Sequence, residues 1–67
     1  MSSLEFYLAR AEQCARDADA TPLVNVKELH LNARAVWLDM AQRLERTTEE
    51  RAVVAAHKAE MAAAMAQ

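Results

Sequence analysis

The sequence predicts an all-α protein, and three observations carry that expectation. The 67 residues contain no glycine and a single proline. Alanine is the commonest residue, and Leu, Glu, Arg, Met and Gln supply much of the remainder; these are the strongest helix formers. Apolar residues also recur at steps of three and four along most of the chain, the period of one helix face. Strands joined by tight turns need backbone at positive φ, which glycine normally supplies.

The first helix is expected over about 3–19. Ser2 is placed to cap it, with Glu5 three residues on at capping-box spacing. Leu4, Tyr7, Ala11, Cys14 and Ala18 form its apolar edge, which Leu8 and Ala15 widen. Glu5, Arg10, Glu12, Gln13, Arg16 and Asp17 occupy the other face, with Glu12 and Arg16 at ion-pair spacing i,i+4.

Pro22 interrupts this helix, because it lacks an amide hydrogen and drives Thr21 out of the helical region. Thr21 as N-cap and Pro22 at the first helical position predict a second helix over about 22–46. A connection this short favours an antiparallel hairpin. The facing stripe of the second helix reads Leu23, Val26, His30, Ala33, Trp37, Met40 and Leu44, broadened by Leu29, Val36 and Ala41. A second stripe, Val24, Leu31, Ala35 and Leu38, lies round the helix from Trp37. One short partner helix cannot cover both.

Thr47, with Glu50 three residues later, repeats the capping-box pattern, and the β-branched pair Thr47–Thr48 predicts a break there. A third, alanine-rich helix is expected over about 48–65, with Val54, Met61 and Met65 as a narrow apolar edge. The alternative at this point is a helical extension of the second helix, because no Pro or Gly forbids one.

The length allows one small helical domain, residues 1–67. So short a chain buries little surface, and association, disulfides or metals are the usual remedies. One cysteine excludes an internal disulfide. The expected hairpin core is Leu4, Tyr7, Ala11, Cys14, Val26, Ala33, Trp37, Met40 and Leu44, with Trp37 as its buried anchor. The expected interface is Phe6, Val24, Leu31, Ala35, Leu38, Val54, Met61 and Met65. Two hairpins joined as a dimeric four-helix core would cover the second stripe. A third helix folded back over it is the monomeric alternative.

The same residues argue against chemistry. Cys14 lies on the apolar edge, where a thiol packs like a small hydrophobe, and no C-x-x-C or H-x-x-x-H spacing occurs. None of the seven glutamates has a histidine three residues on, the spacing of bundle metal sites. His30 sits in the facing stripe and reads as a half-buried histidine near the turn. Phe6 lies off the main edge, covered either by another segment of the chain or by a second subunit. No catalytic residue, cofactor or metal is expected.

Eight basic residues scatter among ten acidic ones, for a formal charge of −2, so a nucleic-acid surface is not expected. The Ala/Met segment carries only Arg51 and Lys58 as positive charges, too few for a membrane-surface helix. A lone thiol and no signal-peptide pattern place the expected protein in the cytoplasm. Its expected role is a self-associating interaction module, an adaptor or regulator that binds a second protein. A dimeric nucleic-acid-associated regulator and a purely structural self-assembling module are the alternatives.

Tyr7, Arg10, Ala11, Glu12, Cys14 and Ala18, followed by Trp37, Met40, Ala41 and Leu44, make a pattern of R-A-E-x-C and W-x-x-M-A-x-x-L. Over about residues 7–46 the chain resembles short uncharacterised alphaproteobacterial proteins with this pairing. The resemblance implies a helical hairpin and brings no activity with it.

Overall fold

A computed structural model describes residues 2–66. Two α-helices account for nearly all of them, α1 (Ser3–Ala20) and α2 (Val24–Met65). No strand occurs among the described residues. Ser2, in extended conformation, accepts a hydrogen bond on Oγ from the Glu5 amide at 3.1 Å. That bond satisfies one of the amides a helix start leaves unpaired. On the outer face of α1, Arg16 donates to Glu12 at 2.8 Å and to Gln13 at 2.9 Å, and Gln13 donates to Asp17 at 2.8 Å. All four side chains are solvent-facing or half-buried, so this ladder contributes only tenths of a kcal/mol, roughly 0.2–0.5 per pair.

The turn departs from the expected capping. Thr21 is the C-cap of α1, and α2 starts at Val24 with Leu23 as its N-cap rather than at Pro22. Thr21 Oγ1 instead accepts from the Leu23 amide at 3.3 Å, and the first α2 bond runs from the Lys27 amide to the Leu23 carbonyl. Thr21 and Leu23 on either side of Pro22 have extended backbone, and Pro22 between them lies outside both helices, as its missing donor favours. The chain therefore reverses without any positive-φ residue.

The expected break at Thr47–Thr48 is absent. α2 runs through it for 42 residues, and the third helix is an extension of the second. Each threonine turns its hydroxyl onto its own helix: Thr47 Oγ1 donates to the Arg43 carbonyl and Thr48 Oγ1 to the Leu44 carbonyl, both at 2.9 Å. This i to i−4 bonding is the way a threonine is accommodated within a helix. It removes Thr47 as a capping residue. With no break, the last third of α2 does not fold back over its own body.

The two helices run antiparallel. Leu4 shares a groove with Leu44 and Thr48, and Tyr7 shares one with Met40 and Leu44, whereas residues 21–23 join the far ends. At 1.5 Å per residue α1 is about 27 Å long and α2 about 63 Å. α1 therefore covers the first half of α2, and an arm of about 17 residues, 49–65, projects beyond it. The molecule measures 68 × 20 × 10 Å, and its radius of gyration is 19.2 Å. A compact chain of this length would have about 11 Å.

Candidate interaction surface

The contact between the helices is built on small side chains. Ala11, Cys14, Ala18 and Ala41 are the buried residues, and Ala18 is fully enclosed. Small residues at this seam let the helices approach closely. The other members of the expected core surround the seam and remain half-buried: Leu4, Tyr7, Val26, Ala33, Trp37, Met40 and Leu44. Trp37 is thus a rim residue, where an enclosed anchor was expected. Its indole meets Phe6 edge-on at 5.7 Å between centroids and Tyr7 at 6.0 Å, while the Arg10 guanidinium lies 5.6 Å above it. With only one helix to cover it, a ring this large has protein on one side only.

Apolar surface is left open on both flanks of the body. On α2 these groups are Val24, Leu29, Leu31 and Val36, with Leu29 at 65 % and Val36 at 59 % exposure. Leu29 and Val36 were expected to broaden the buried face; only Ala41 of that trio is buried, because α1 reaches a narrow arc. Leu38 is half-buried and Ala35 exposed. On α1, Phe6 and Leu8 are open. Leu8, expected to widen the buried edge, does not.

The arm buries none of its described residues. Every described residue from 45 onward is exposed, including Val53, Val54, Met61 and Met65, the last at 83 %. The facing stripe nonetheless runs on: Val26, Ala33 and Met40 continue at seven-residue steps through Thr47 to Val54 and Met61. Open grooves line this track, one at the start of α1 beside Leu44 and Thr48 and another along Thr47, Arg51, Val54 and Lys58.

The surface as a whole is too large for the mass. The accessible area is 5485 Å², against about 4,250 Å² for a compact monomer of 7.5 kDa. The surplus, about 1,200 Å², exceeds the roughly 800 Å² that one partner contributes to a standard interface.

The candidate chemical groups are not brought together. Cys14 is buried in the seam, His30 is half-buried near the turn, and His57 is exposed on the arm. No group of three or more His, Cys, Asp or Glu side chains able to hold a metal occurs among the described residues. Among the described residues no helix is long and apolar enough to cross a membrane. No family model, curated protein or solved structure matches the chain.

Proposed function

We propose that this chain is a non-enzymatic interaction module: a helical hairpin that self-associates and presents helical surface to a second protein as an adaptor or regulator. The surplus of about 1,200 Å² of accessible surface carries this reading. It is paired with apolar side chains exposed on both halves of α2. A monomer with such a surface would leave Leu29, Leu31, Val36, Val54 and Met61 in water without recompense. The lone thiol fits a reducing compartment, and on this reading the module works in the cytoplasm.

Size-exclusion chromatography with light scattering tests the proposal. The wild-type chain should elute at twice 7.5 kDa at high micromolar concentration. Leu38→Glu, which places a charge on the second stripe, should keep the helical circular dichroism and reduce the mass to that of a monomer. A wild-type monomer at that concentration rejects self-association.

A further inference from the structure

The bare arm and the bare flanks are two halves of one geometric problem. The arm is about 25 Å long and the body formed by α1 and the first half of α2 is about 27 Å long. Packing two bodies together as a four-helix core would leave both arms uncovered. From these lengths, and resting on the self-association proposed above, we infer that the arm of each copy lies antiparallel along the body of a second copy. Each end of the dimer then holds three helices: α1 and the first half of α2 from one copy, and the arm of the other.

The occupant is a second copy for two reasons. The surplus surface of about 1,200 Å² per chain corresponds to about 2,400 Å² per dimer, within the range of obligate interfaces. Side-chain size is complementary along a single line of α2. Val24, Leu31 and Leu38 continue at seven-residue steps through Glu45 to Ala52, Ala59 and Ala66. An antiparallel pair centred near Glu45 sets Leu38 against Ala52 and Leu31 against Ala59, large against small, as interdigitating layers require. The two copies of Glu45 meet near the axis, each with Arg46 beside it.

Pulsed dipolar electron paramagnetic resonance on the full chain tests this register. Spin labels are placed singly at Gln42→Cys or Glu60→Cys, both exposed positions, with buried Cys14 replaced by alanine. Circular dichroism and light scattering establish that each labelled chain remains helical and dimeric. The inference expects a separation between copies of under about 20 Å at position 42 and about 45 Å at position 60, at 1.5 Å per residue from the axis. Short separations at both positions mean a parallel dimer. A short separation at 60 with a long one at 42 means that arms pair only with arms. Either result overturns the inference and leaves self-association standing. A wild-type monomer by light scattering overturns both.

Discussion

Trp37 shows how a residue's place is set by what is opposite it. Its side chain is in the facing stripe, yet it is half-buried, held between Phe6, Tyr7 and the Arg10 guanidinium. Trp37→Ala should therefore cost about 2 kcal/mol, below the roughly 3–5 kcal/mol of a fully enclosed aromatic. Urea denaturation of the variant checks this; a loss above that range would mean that a second copy encloses the ring. Ala18 is the opposite case, a small side chain with no room around it. Ala18→Leu should destabilise by about 1–3 kcal/mol through overpacking, read as a lower midpoint in the same experiment. Sequence periodicity placed Ala18 and Trp37 on facing edges. It ranked the large ring as the buried one, because volume alone does not tell which residues lie where two axes come closest.

At the scale of the element, α2 is a helix whose two halves are stabilised differently. Its first half is supported by α1 through Val26, Ala33, Trp37, Met40 and Ala41. Its arm depends on propensity and on the absence of Gly and Pro. An isolated helix of about 17 residues is marginal in water even when alanine-rich. Amide hydrogen exchange should therefore separate the halves: at low micromolar concentration the amides of 51–65 exchange faster than those of 30–44. Raising the concentration should slow exchange in the arm more than in the body, as the arm gains cover. Equal protection of both halves at every concentration would contradict this account. The capping pattern at Thr47 and Glu50 was legible but misleading, since a threonine hydroxyl can accept from an amide ahead or donate to a carbonyl behind.

For the whole molecule, stability and association are one quantity. The seam of Ala11, Cys14, Ala18 and Ala41 is a small core for a chain of this length. If a second copy supplies the missing cover, the folded state is favoured by mass action. Thermal unfolding should then depend on concentration, with Tm rising by about 5 °C per tenfold increase, given an unfolding enthalpy near 0.7 kcal/mol per residue over two chains. A Tm that does not move over a hundredfold range marks the unit of folding as the monomer.

By itself the sequence determined the all-α class, the capping of α1 by Ser2, the interruption at Pro22, and an apolar surface larger than one helix can cover. These follow from local causes: backbone freedom, a capping hydroxyl, a missing amide and a 3.6-residue period. Only the tertiary structure decided that α2 is continuous through Thr47 and Thr48, that its arm overhangs α1, and that Leu29 and Val36 remain in water. Helix continuity at a site without Gly or Pro depends on small energy differences between alternative hydrogen bonds. Burial depends on how wide an arc the neighbouring helix covers, and neither is written in the spacing of residues along one strand of sequence.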